Sequence, residues 1–138
     1  MNTKHYLRQG YKLNERIRDK QERLARFKEL AVSIGAIDYS KDRVQGGSGS
    51  NAPFENQVVK IVDLEAEIEQ DILELCKLQV EISNAIDDVE DVNCSLVLSK
   101  RYLLMKTWEN IAEEMNYSVM QIHRLHAKGL ELIKIPKG

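Results

Sequence analysis

The residues best suited to bind a ligand lie in the last third of the chain. Gln121 and Arg124 can each form two hydrogen bonds to one base edge, glutamine to adenine and arginine to guanine. They are three residues apart in a segment that Ser118 can cap as a helix, so they lie on one helical face. This arrangement predicts the reading of bases in the major groove of DNA.

The candidate DNA-binding surface contains eleven residues. Base contacts are expected from the outward face of a recognition helix at about 118–134. Phosphate contacts are expected from lysines, an arginine and the hydroxyls at two helix N-termini, without sequence specificity. The set is Lys100, Arg101, Lys106, Thr107, Ser118, Val119, Met120, Gln121, His123, Arg124 and Lys128.

Two short helices and a tight turn are expected to position this surface. Thr107 can cap a helix that begins at Trp108, and Asn116-Tyr117 separates it from the helix capped by Ser118. With a preceding helix at 93–105, they form the layout of a helix-turn-helix over residues 93–138. The inward side chains are then Ile111, Ala112 and Met115 in one helix and Ile122, His126, Gly129, Leu130 and Ile133 in the next.

Residues 1–92 are predicted to form a helical oligomerisation scaffold. Apolar or small residues recur in heptad steps along 3–34 and again along about 53–90, as in paired long helices. The stretch 35–52, glycine-rich from Gly35 onward, is expected to be a flexible loop whose first residue ends the first helix. The predicted fold class is all-α, with a long antiparallel helical hairpin before the helix-turn-helix; a parallel dimeric coiled coil is the alternative.

The net charge of −2 hides three blocks. Residues 1–53 carry 11 Lys/Arg and 6 Asp/Glu, residues 54–93 carry 2 and 12, and residues 94–138 carry 7 and 4. The net charges are therefore +5, −10 and +3. The basic first block and the acidic middle block are expected to pair with each other within the chain. The basic carboxyl-terminal block is then available to bind phosphate.

The second long helix has an apolar face wider than one partner helix would cover. A second track, formed by Val62, Ala66, Leu73, Cys76 and Val80, runs beside the first. Since a module of +3 gives only modest attraction to DNA, a pair of modules would bind better. The DNA-binding unit or another copy of the chain could cover this face, and we expect another copy, in a homodimer held by the long helices.

Other classes of function lack their residue patterns. The sequence has no nucleophile–base arrangement, metal-ligand spacing or nucleotide-binding loop, so we expect neither an enzyme nor a cofactor.

His123 and His126 are expected in the core or at its rim. The acidic run 87–91 is expected at the end of a helix, with Asp91 or Asn93 capping the next helix. Cys76 and Cys94 are expected as free thiols, although a disulfide is conceivable. Without a signal sequence or an apolar run that spans a bilayer, a protein in the cytoplasm of a bacterial host cell is expected.

The spacing RY–x5–W–x2–IA–x5–S–x3–I from Arg101 to Ile122, followed by H–x2–GL at 126–130, resembles region 4 of bacterial sigma factors. It is more similar still to phage and prophage late-transcription activators of the RinA and ArpU type, and to small phage proteins of unassigned function. The resemblance implies a sigma-region-4-like helix-turn-helix that regulates transcription. Asn110 and Gly129 depart from the usual glutamate and alanine of that pattern.

Three functions remain as hypotheses. The first is a sequence-specific DNA-binding transcriptional regulator. The second is a DNA-recognition subunit similar to a small terminase, in which helical segments would assemble a ring. The third is a protein-interaction module that binds RNA polymerase or another protein.

Overall fold

The computed structural model describes residues 2–40 and 52–136, with the side chains of 2–34 and 54–136. These residues form helices without any strand, so the predicted all-α class is confirmed. None of the helices, over the residues described, is long and apolar enough to cross a membrane. In chain order they are α1 (Thr3–Ser40), α2 (Ala52–Asp87), α3 (Val92–Tyr102), α4 (Trp108–Met115) and α5 (Val119–Leu132).

The first helix is longer than its sequence pattern predicts. The expected end at Gly35 is wrong, because α1 continues to Ser40. A glycine inside a helix costs only about 1 kcal/mol relative to alanine, and no proline follows it in α1 to stop the helix. Of the predicted loop 35–52, residues 35–40 belong to α1 and residue 52 belongs to α2. The remaining residues, 41–51, lie outside the described part of the chain.

The chain divides into two compact units, of which the middle unit is Glu15–Leu73. Its ion pairs centre on Asp71 of α2, which is 6 % exposed. The Asp71 carboxylate accepts hydrogen bonds from Lys20 Nζ at 2.7 Å and from Arg16 Nη2 at 3.0 Å. The bond from Lys20, with that from Arg16, holds the pKa of Asp71 below its usual value. Lys20 of α1 is thus paired with a carboxylate of α2.

Apolar side chains at heptad spacing form the buried part of the middle unit. Those that are buried are Ile17, Ala31, Leu64 and Ile68. Farther along α1, Lys28 Nζ lies 3.3 Å from Glu65 Oε2. In this unit, therefore, successive residues of α1 meet residues in reverse order along α2.

The terminal unit consists of Met1–Asn14 and Glu74–Gly138. Its main core combines residues from α1, α2, α3 and the end of α5: Tyr6, Leu7, Ile82, Ala85, Ile86, Val89, Cys94, Leu98, Tyr102 and Ile133. Asn2 caps α1 by accepting a hydrogen bond from the backbone N–H of His5 at 2.7 Å. The first turns of α1 therefore share one core with α3 and the end of α5.

The connections around α3 are set by local hydrogen bonds. Asp91 caps α3 by accepting from the backbone N–H of Cys94 at 3.1 Å, as one of the two predicted caps. The helix ends at Tyr102, three residues earlier than predicted, because the backbone turns there and Met105 has a φ of 55°. Leu96, within α3, is 42 % exposed, and Leu104, beyond the end of α3, is 58 % exposed.

Both cysteines are free thiols, as predicted. Cys76 is exposed on α2, whereas Cys94 is buried in the core of the terminal unit. Burial raises the pKa of the Cys94 thiol, with Asp91 adding to the effect, so this thiol stays protonated and packs as a small apolar group.

Candidate nucleic-acid interface

The turn between α4 and α5 is fixed by hydrogen bonds at both of its ends. Asn116 adopts the left-handed conformation that ends many helices, with φ 58° and ψ 41°, and its N–H bonds back to α4. The backbone N–H of Tyr117 donates to the carbonyl of Ala112 at 3.0 Å. Thr107 caps α4 through the N–H of Asn110 at 3.1 Å, as predicted. The start of α4, its end and the turn that follows are therefore defined by short-range hydrogen bonds.

A small core holds α3, α4 and α5 together. Its fully buried residues are Val97, Ile111 and Ile122, and Ala112 beside them is 6 % exposed. α5 also approaches α3 closely at Gly129, where a Cβ atom would lie 3.1 Å from Leu98 Cγ. The predicted inward stripe of α5 is confirmed, since Ile122, His126, Gly129 and Ile133 are buried and Leu130 is partly so.

The opposite face of α5 is exposed, as predicted. It carries Met120, which is 64 % exposed, together with Gln121, Arg124 and Lys128. Val119 and His123, also exposed, lie at its margins. The Arg124 guanidinium donates a hydrogen bond to the Met120 sulfur at 3.6 Å. This face thus presents a guanidinium, an amide and apolar surface together.

Gln121 has a structural role that the sequence reasoning missed. Its Oε1 accepts a hydrogen bond from the backbone N–H of Ser118 at 2.9 Å, while the Ser118 hydroxyl accepts from the N–H of Gln121 at 3.1 Å. This reciprocal pair is a capping box, and the spacing S-x-x-Q at 118–121 was its sequence signal. Gln121 therefore stabilises the start of α5 with the amide oxygen that a bidentate contact to adenine would use.

Three lysines of the candidate surface form ion pairs with carboxylates of the same chain. Lys100 and Lys106 each place Nζ 2.6 Å from an oxygen of Glu114, and Lys128 Nζ lies 3.1 Å from Asp91 Oδ2. Hydrogen bonds from Lys100 and then Lys106 lower the pKa of Glu114. Because Lys100 and Glu114 are fourteen residues apart on different helices, no local pattern could have revealed their pairing.

Arg101 is held between two aromatic rings. Its guanidinium carbon lies 4.2 Å from the centroid of the Trp108 ring and 5.2 Å from that of Tyr11. One guanidinium N–H also donates to the carbonyl of Lys106 at 2.9 Å. Trp108 is partly buried against the small core of α3–α5. The position of the Arg101 guanidinium is thus set by stacking on the two rings and by this hydrogen bond.

The two histidines of α5 lie in different environments. His123 is exposed with its ring centroid 4.7 Å from that of Trp108, whereas His126 is 6 % exposed with Nε2 2.7 Å from the Tyr102 hydroxyl. Burial, followed by the charges of Lys4, Arg101 and His123, lowers the pKa of His126 to about 4. His126 is therefore neutral at pH 7. Among the described residues, no three His, Cys, Asp or Glu side chains form a potential metal site.

The sequence matches a protein family whose function is unknown. The family model, described as "Protein of unknown function (DUF1492)", covers residues 32–132, or 101 of the 138 residues. This range extends from α1 through the whole of α5. No curated protein and no solved structure matches the chain.

Proposed function

The chain belongs to the DUF1492 family, and from its own residues we propose that it is a DNA-binding transcriptional regulator of phage or prophage type. The observation that carries this proposal is the two-sided character of α5. One stripe of the helix is buried, while the other side exposes Gln121, Arg124 and Lys128 beside Met120. A capped helix of this kind can enter the major groove with its N-terminal half toward the bases.

The proposed architecture is a long antiparallel hairpin of α1 and α2 that carries a helix-turn-helix of the sigma-region-4 kind. The hairpin is supported by the ion pairs of the middle unit, because Arg16 pairs with Asp71 whereas Lys28, later in α1, pairs with Glu65, earlier in α2. For the helix-turn-helix, the support comes from the motif residues. Trp108 begins α4, Ile111 and Ala112 are buried in α4, Ser118 caps α5, and Ile122 is buried in α5.

A second copy of the chain is the proposed partner of α2. Within the middle unit, exposed residues recur at heptad spacing along this helix: Val59, Val62, Ala66 and Leu73. Val59, Val62 and Leu73 are each more than half exposed. Apolar positions at these steps fit the seam of a helix pair, and a homodimer would present two DNA-binding modules to one duplex.

The direct test measures binding to promoter fragments from the neighbourhood of the gene. Wild-type protein should shift at least one fragment at low salt, and Arg124→Ala should weaken specific binding by about 10- to 100-fold, corresponding to one bidentate base contact. Arg26→Ala, which removes an exposed arginine from the middle unit, is the control and should retain wild-type affinity. No shift with any fragment at low salt would overturn the proposal.

The ion pairs of Lys100, Lys106 and Lys128 favour a second candidate, a protein-interaction module. Lysines already bound to carboxylates offer less free positive charge to phosphate, while the exposed Met120 suits a protein contact. RNA polymerase is the candidate partner. This function would be supported if Gln121→Ala and Arg124→Ala left DNA binding unchanged while Met120→Ala prevented capture of purified polymerase.

A further inference from the structure

The first three turns of α1 carry a row of cations that the proposed function has not used. Lys4, Arg8 and Lys12 follow one another at four-residue steps, so they lie along one helical face, about 6 Å apart along the axis. All three are exposed, and none forms an ion pair within the described residues. With Asn2, His5 and Gln9 they line a shallow groove. We call Lys4, Arg8 and Lys12 the α1 basic row.

The α1 basic row belongs to the same compact unit as α5. Leu7 is fully buried in the core shared with Leu98, and the Tyr11 hydroxyl donates a hydrogen bond to the Arg101 carbonyl. Lys4 is three residues before Leu7, and Arg8 is three residues before Tyr11, so the row borders the buried face of α1. Its neighbour across that border is Arg101, whose guanidinium lies over the Tyr11 ring.

Contacts continue from Arg101 to the exposed face of α5. The Arg101 guanidinium stacks on Trp108, and the Trp108 ring lies against that of His123 at the margin of α5. Lys4 is also close enough to His126 for its charge, after burial, to lower the pKa of that imidazole. A series of side-chain contacts therefore leads from α1 through Arg101 and Trp108 to the margin of α5.

We propose that the α1 basic row binds the phosphate backbone of the duplex whose bases α5 reads. The row spans about 12 Å, which suits a repeated anion better than a single small one. Its cations form no ion pair with any carboxylate that the structure describes, whereas three lysines around α3–α5 have carboxylate partners. The row therefore supplies sequence-independent affinity that these three lysines offer only after their ion pairs break. This inference rests on the proposed DNA binding.

The test compares two triple variants with equal loss of charge. One is Lys4→Gln, Arg8→Gln and Lys12→Gln; the control is Arg18→Gln, Arg23→Gln and Lys60→Gln, all exposed positions in the middle unit. Binding to a fluorescein-labelled duplex of mixed sequence is measured by anisotropy from 25 to about 200 mM salt. The logarithm of the binding constant falls linearly with the logarithm of the salt concentration, and each lost phosphate contact should make this slope less steep by about 0.9.

We expect the α1 variant to lose about two to three units of slope and at least tenfold in affinity at 100 mM salt, with the control close to wild type. The charge-conserving triple Lys4→Arg, Arg8→Lys and Lys12→Arg should restore the slope, and circular dichroism should show equal helix content. An α1 variant with the slope of the control would overturn this inference alone. Wild-type protein that bound no duplex even at 25 mM salt would overturn the proposed function and the inference together.

Discussion

The Tyr102 hydroxyl lies 2.7 Å from Nε2 of His126, and both side chains are buried in the terminal unit. This pair connects the end of α3 to the middle of α5. Because the imidazole has lost its water and faces the charges of Lys4, Arg101 and His123, it accepts a proton far less readily than an exposed histidine. The stability of the unit that contains α5 should therefore depend on pH.

We expect the free energy of unfolding to fall by about 2 kcal/mol between pH 7 and pH 5. The pKa of His126 is about 4 in the folded protein and 6.5 in an exposed histidine, so the unfolded chain binds more protons between those values. The stabilisation is complete above pH 6.5 and declines as the pH drops toward 4. Urea unfolding at pH 5, 6 and 7 measures it.

His126→Phe should flatten this pH dependence, although it lowers stability at pH 7 by leaving the Tyr102 hydroxyl without its partner. The control is His5→Gln, at an exposed histidine, which should keep the wild-type profile. A wild-type protein equally stable at pH 5 and pH 7 would contradict the assignment.

The two helix-interior glycines of the terminal unit should respond in opposite ways to alanine. Gly10→Ala should stabilise the protein by up to about 1 kcal/mol, because alanine favours a helix and the new methyl group meets Leu75 and Met105 at 3.8 Å. Gly129→Ala should destabilise it by about 1 kcal/mol or more, because the methyl group would lie 3.1 Å from the fully buried Leu98. Thermal unfolding of both variants measures the difference, and a rise in Tm for Gly129→Ala would contradict the close approach.

Removing the Asp71 carboxylate should destabilise the middle unit. Asp71→Asn leaves Arg16 and Lys20 without their shared anion, and we expect a loss of about 1–2 kcal/mol in urea unfolding at pH 7. Since the folded-state pKa of Asp71 is lowered, this difference should shrink as the pH falls below the ordinary carboxylate range. Asp63→Asn, at an exposed position of the same helix, is the control and should change stability little.

Glu114→Gln should strengthen DNA binding. The substitution releases Lys100 and Lys106 from their common carboxylate and removes a charge that repels phosphate. We expect roughly 3- to 10-fold tighter binding near 100 mM salt and a steeper salt dependence. Glu113→Gln removes the same charge from the neighbouring exposed residue and should have a smaller effect. Equal affinities of the two variants would mean that the ion pairs do not compete with DNA.

The proposed homodimer should dissociate when charge enters the heptad track of α2. Wild-type protein should scatter light as a dimer at micromolar concentration, and Val62→Glu with Leu73→Glu should yield monomers with unchanged helix content. Val32→Glu, at a residue of α1 that is 73 % exposed, is the matched control. A monomeric wild-type protein would contradict the dimer, and a ring well above two copies would favour the packaging subunit.

The sequence predicted best the features that depend on near neighbours. Thr107 and Ser118 cap helices because each hydroxyl meets an N–H only three residues ahead. The inward stripe of α5 follows in the same way from helical periodicity, and Ile122 and Gly129 lie where that periodicity predicts. In both cases the partners are within one or two turns of helix.

The features that the sequence did not predict depend on distant residues or on small energies. Leu7 joins the core of Leu98 across some ninety positions, and Glu114 pairs with lysines on two other segments. No periodicity encodes such partners. The end of α1 was missed for a different reason. The helix penalty of Gly35 is only about 1 kcal/mol, which is too small to end a helix by itself.

If α5 reads DNA as proposed, its capping box would link contact with a base to contact with the backbone. In a DNA complex, an adenine that engages the Gln121 amide would take the oxygen that now satisfies the Ser118 N–H. A backbone phosphate at the start of the helix can replace that acceptor. A docked phosphate would then make the Gln121 oxygen more available to its base, so contact with the backbone and contact with the base would strengthen each other.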